Sequence, residues 1–164
     1  KQRITKNVNT IRLMSEIIKD NASTYETKLL KFIEIEADKY LCRETNLPLG
    51  TKFFEIKRLL IADHEPICMD YCFIPTNLAP ELIDYKSYIE NLNDILVEKF
   101  NIKFFRTTQR IRVIEAESSY RDALELSSNA HVALLSGCIY DNHNHVVAFT
   151  ESYMKYERFS FELF

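Results

Sequence analysis
The sequence predicts an α+β domain built on an antiparallel sheet with flanking helices. Three observations carry this. β-rich runs outnumber helical ones, most of those runs come in adjacent pairs joined by short Asn/Asp turns, and no repeat or low-complexity tract interrupts them. A chain of 164 residues fits one core, and beyond residue 10 nothing in the composition marks a boundary.

Taken in order, residues 1–9 are polar and basic with no core pattern, and read as a linker. Thr10 is placed to cap a short helix through Asp20, with Ile11, Met14, Ile17 and Ile18 at helical spacing. From Thr24 to Glu36 the period switches to two, which predicts a strand, and Ala37 to Thr45 reads as a short helix ending before Pro48. Lys52–Ile61 and Pro66–Pro75 form a hairpin across Ala62-Asp63-His64-Glu65. Within 82–100, from Ser87 onward, the stripe Ile89, Leu92, Leu96 and Phe100 predicts a helix. Ile102–Ile114 reads as one long strand, and Ser119 starts another helix. Ala133–Tyr140 and His145–Met154 make a second hairpin around Asp141-Asn142-His143-Asn144, and Phe159–Phe164 forms a closing strand.

Charge and composition exclude several functions. Lys and Arg number 21 against 24 Asp and Glu, a net charge of -3, so the chain lacks the basic surplus of a free-standing nucleic-acid binder. Most of its aromatic residues fall on apolar faces and read as core. The glycines are only Gly50 and Gly137, which excludes a P-loop and a dinucleotide-binding turn. Cys42, Cys68, Cys72 and Cys138 are scattered as buried thiols of a reducing compartment would be. With no run of about 18 apolar residues and no signal-peptide core, we expect a cytoplasmic protein that does not associate with membranes.

Candidate chemistry is sparse. His143 and His145 share strand parity but flank a turn without a third ligand, so we expect no metal, and nothing implies a cofactor. Ser136-Gly137-Cys138 lies mid-strand, outside the strand-to-helix turn that a nucleophile elbow requires. Arg106, Arg110 and Arg112 have the even spacing that sends side chains to one side of a strand. That row is either solvated or lines an anion pocket, since guanidinium matches phosphate and carboxylate in two-point contacts. Asp70, Ser152 and Arg158 are polar residues on runs that should be half apolar.

Several stretches also occur together in a known order. Arg58-Leu59-Leu60-Ile61-Ala62-Asp63-His64-Glu65-Pro66-Ile67, then Asp70–Pro75 and Leu78–Leu82, are followed by 87–102 and Ala123–Leu135. Ile139-Tyr140-Asp141 and Glu151-Ser152-Tyr153 through Phe161 complete the set. Collinear over about 150 residues, they resemble the UTRA domain, the ligand-sensing half of HutC-type GntR transcription regulators. The resemblance implies a chorismate-lyase-like fold, a homodimer, a small-molecule effector, and DNA contact only through an N-terminal winged-helix domain. On that reading residues 1–9 are linker and residues 10–164 the effector-binding domain.

Carried over by position, the resemblance implies effector contacts from Ser15, near a helix start, and from Arg58, Asp70, Arg106, Arg110, Ser152 and Arg158. The chain departs from the family pattern at Thr107-Thr108-Gln109-Arg110, where arginine stands near a usual acid, and at Ala148, where an acid is usual. Tyr156 replaces a usual glycine. These changes favour a more anionic effector, a sugar phosphate or carboxylate. The same fold would also suit a chorismate-lyase-like enzyme, or a dimerisation module with a degenerate pocket.

Overall fold
The computed structural model describes residues 3–7 and 11–162. Among the described residues, and apart from two three-residue 3-10 turns (Thr76–Leu78 and Tyr156–Arg158), nine strands and four helical segments follow in the order β1 (Ile4–Asn7), α1 (Met14–Asn21), β2 (Tyr25–Glu36), α2 (Lys39–Thr45), β3 (Lys52–Ala62) and β4 (Glu65–Pro75). Then come a helical run over 82–99 (α3), β5 (Arg106–Thr107), β6 (Arg110–Glu115), α4 (Ser118–Arg121), β7 (His131–Tyr140), β8 (Val146–Met154) and β9 (Phe159–Glu162). The main sheet has the order β2-β3-β4-β8-β7-β5, with β6 also on β7, and every pairing in it is antiparallel. β1 and β9 pair in parallel as a separate two-stranded ribbon. This is the predicted α+β architecture.

Strand parity sorts the core into two layers. Even residues of β3, β4 and β8 and odd residues of β7 face α1 and α3. Leu60, Cys68, Ala133 and Met154 pack there with Met14, Ile17 and Ile18, while Ile56, Cys72, Ile74 and Ile139 meet Leu92 and Leu96. The opposite face packs Phe53, Phe73 and Phe149 on Leu41 of α2, and Leu59, Met69 and Val132 on Tyr120 near α4. Asp38 caps α2 by accepting from the Leu41 amide at 2.8 Å, and Asn46 ends it in the left-handed region.

Both hairpins form where predicted. The first turns on Asp63 and His64, at φ 49° and 66°, the paired positive values that two-residue turns require. In the second, Asp141 Oδ1 accepts from the amides of His143 (2.8 Å) and His145 (2.9 Å), replacing the missing glycine with a side-chain brace.

The structure corrects four expectations. Residues 4–7, within the stretch expected to be a polar linker, form β1 with Ile4 and Lys6 buried. α1 begins at Met14; Thr10 lies outside the described residues, and the capping position is Leu13, whose amide donates to Asn93 Oδ1 at 2.9 Å. The stripe over 82–99 is buried as predicted at Ile89, Leu92 and Leu96, but its backbone runs through 3-10, α and π turns rather than one α-helix. The long strand expected over Ile102–Ile114 is broken at Thr108-Gln109 into β5 and β6. The reason lies across the sheet. The Thr108 carbonyl oxygen leans over Gly137 so closely that a Cβ there would lie 1.7 Å from it.

Candidate functional site
Two features on the α1 side of the sheet form one polar region. The first is a buried row across three strands. Arg58 on β3 stands opposite Asp70 on β4, which stands opposite Ser152 on β8. Arg58 is wholly buried, and Asp70 and Ser152 nearly so. One Arg58 Nη donates to Asp70 Oδ2 at 2.9 Å and to Ser15 Oγ of α1 at 3.2 Å, and the other to the Ile89 carbonyl of α3 at 3.0 Å. Ser152 Oγ donates to the second Asp70 oxygen at 2.9 Å. Burial is the largest influence and would favour the neutral guanidine, but Asp70, Cys72 and Tyr25 together outweigh it and hold Arg58 protonated. The row therefore ties α1, α3 and three strands to one ion pair.

Next to this row lies a narrow cleft with a cavity volume of about 20 Å³, room for about one water molecule. Its floor is β7 and β8, with Leu135, Gly137, Ile139, Thr150 and Ser152; Thr107, Thr108 and Gln109 form one wall. Lys6 of β1 and Ile11–Met14, the approach to α1, form the other. Ser152 belongs to both features, so the ion-pair row sits directly behind the cleft. Gly137 lets the Thr108 backbone close against β7 and so shapes the wall.

The electrostatics of the cleft are one-sided. Lys6 is only 1% exposed, and its ammonium has no hydrogen-bond partner among the described residues. Burial, and then the nearby positive charge of Arg12, lower its pKa from 10.5 to about 8. Arg12 is held by Asp20 at 2.5 Å and remains partly exposed. Two cations and the start of α1, whose capping residue offers its amides no side-chain acceptor, thus border one cleft. An unpaired buried ammonium is unfavourable unless an anion meets it.

The other residues singled out in the sequence lie elsewhere. Arg106 stacks over the Tyr140 ring, 3.9 Å from its centroid, and hydrogen-bonds Asn144, at the edge of a broad open depression that also includes Lys52 and His145. Arg110 is exposed and pairs with Glu44 of α2 at 3.5 Å, and Arg112 is exposed as well. Arg158 is buried with Lys155 against Glu65, to which it donates at 2.6 Å, fastening the turn before β9 to the β3–β4 hairpin. Among the described residues no group of His, Cys, Asp and Glu could hold a metal ion. Sequence reasoning missed Lys6 and Arg12. The available signal was the basic character of residues 1–9, which show no core pattern and so read as a linker.

The class of the protein follows from its family: an effector-domain family of transcription regulators. The chain belongs to the UTRA domain family, whose sequence profile matches residues 21–160. Among solved structures it is similar to the gene product SA0254 from Staphylococcus aureus, with TM-score 0.83 at 18% identity, covering 99% of this chain and 98% of that one. It is also similar to the effector domain of PhnF from Mycobacterium smegmatis (TM-score 0.82, 16% identity, 98% of each chain). A GntR-family regulator from Bacillus cereus matches at TM-score 0.76 and 18% identity, over 85% of this chain and 97% of that one. No curated protein matches the chain in sequence. Among the described residues, no helix is long and apolar enough to cross a membrane.

Proposed function
We propose that the chain is the ligand-sensing domain of a GntR-type transcription regulator, and that its effector is a small anionic metabolite held in the cleft beside Lys6 and Arg12. The carrying observation is the unpartnered Lys6 ammonium, buried where it borders a cleft with a second cation. Ser152 meets the ligand from the floor. Ser15, Arg58 and Asp70 brace that floor and the first helix, while Arg106, Arg110 and Arg158 serve other parts of the fold. DNA contact belongs to a winged-helix domain N-terminal to β1, and the effector shifts the population of DNA-competent molecules.

The working unit is a homodimer, and β6 is the surface that fits one. Among the described residues β6 pairs only with β7, and Ile111 and Val113 are 44% and 67% exposed. Its sequence Arg-Ile-Arg-Val-Ile-Glu suits an antiparallel two-fold pairing, which sets Arg110 opposite the second copy's acidic end.

The test is a thermal-unfolding screen against sugar phosphates and carboxylates, repeated on Arg12→Ala. A ligand at about 100 times its Kd adds roughly 2.7 kcal/mol, a shift of a few degrees for a domain this size. A shift that vanishes in Arg12→Ala supports the cleft. A shift that survives it but vanishes in Arg106→Ala would move the effector to the depression beside Tyr140.

A further inference from the structure
Lys6 belongs both to the cleft and to β1, and this double membership gives the site a means of regulation. β1 is four residues long. It lies in parallel register on β9, Ile4 against Phe159 and Lys6 against Phe161. Asn21 at the end of α1 reaches its Thr5 backbone only at 3.4–3.5 Å. Ile4 packs into the apolar cluster with Met14, Ile17 and Met154, which favours docking. Lys6, on the same side of the strand, opposes it by carrying an ammonium out of water with Arg12 as its charged neighbour. With the cleft empty, one side chain of β1 drives docking and the next resists it.

We propose that anion capture in the cleft is coupled to docking of β1 through Lys6, so that occupancy is read out as tighter attachment of β1 to β9 and α1. The inference rests on the cleft being the effector site. An anion beside Lys6 supplies the missing partner and removes the resistance, and by reciprocity a docked β1 binds the anion more tightly. The anion need carry only a phosphate-like group. The rest of the effector sets specificity along Thr107–Gln109 and Thr150 without entering the coupling. β1 is then the segment through which an N-terminal DNA-binding domain would sense the ligand.

Hydrogen exchange of the β1 and β9 amides, measured with and without inorganic phosphate alongside calorimetric titration, tests this. In the wild type, saturating phosphate should slow exchange in β1 and β9 by about tenfold relative to β3 and β4. Lys6→Met keeps the apolar stem but not the charge. It should bind phosphate at least about tenfold more weakly and show β1 protected without phosphate and unchanged by it. Lys6→Arg should restore the response. Arg12→Ala should weaken binding, yet at saturation still slow β1. If phosphate binds in an Arg12-dependent way while β1 exchange stays fixed, or if Lys6→Met responds like the wild type, the coupling is wrong and the cleft stands. If phosphate does not bind the wild type at all, both the cleft and the coupling fall.

Discussion
Arg58 carries a guanidinium to a place that water does not reach, and Asp70 is the group that makes this tolerable. Asp70→Asn keeps the shape and removes the charge, so it should destabilise the domain by about 3–5 kcal/mol in urea unfolding. The double variant Arg58→Met/Asp70→Leu should lose less than that, because an apolar pair leaves no orphaned charge. Equal losses would mean that the row matters for packing alone. Lys6 makes a different prediction. Its pKa falls from 10.5 to about 8 on folding, through burial and then Arg12, whose own partner is Asp20. Between those values the unfolded chain holds a proton that the folded chain has shed. Folding stability from this group therefore rises as pH climbs from about 8 to about 10.5, and phosphate flattens the rise by favouring the ammonium. The comparison is urea midpoints of wild type and Lys6→Met across that window. Parallel curves would contradict the buried-charge account.

At the scale of elements, Gly137 is the position where a single methyl group should matter. Gly137→Ala forces the Thr108 carbonyl away from β7, and the expected loss is about 1–3 kcal/mol together with weaker anion binding, since the cleft wall moves with it. Gly50→Ala is the control: nothing lies within 4 Å of its Cβ position, so only its positive φ opposes the change and anion binding should be untouched. Much of this level was legible in the sequence. Both hairpins, the apolar stripe of α3 and the position of α2 follow from local spacing. The split of β5 from β6 was not, because it depends on a glycine 29 positions later in the chain. Nor was the Arg58–Asp70 pair. A simple two-residue turn at Asp63-His64 would set Arg58 against Met69; the extra residue between the Ile61–Pro66 and Leu60–Cys68 pairs shifts the register and brings Asp70 opposite. Arg106, Arg110 and Arg112 have the predicted parity, yet strand parity says nothing of what covers a face, and there the covering elements are few.

For the whole molecule, the proposed dimer rests on the exposed apolar residues of β6. Val113→Asp should leave unfolding of the isolated domain within about 0.5 kcal/mol of the wild type, because that side chain is already 67% exposed. It should nonetheless shift the mass seen by sedimentation from dimer to monomer. A dimer that survives the change would put the interface elsewhere. The opening segment shows how whole-molecule context overrides local pattern. Isolated, Ile4-Thr5-Lys6-Asn7 carries no core signature, but β9 returns from the far end of the chain to pair with it and buries a lysine that composition alone would leave in water.

The central claim is that the cleft bordered by Lys6, Arg12 and Gly137 is where the anionic effector binds. A titration of the isotopically labelled domain with inorganic phosphate, followed residue by residue in amide NMR spectra, tests it most directly. The account predicts saturable shifts concentrated at Lys6, Leu13, Met14, Thr108 and Gly137. Shifts gathered instead around Arg106, Tyr140 and Asn144, or none at any residue, would contradict it.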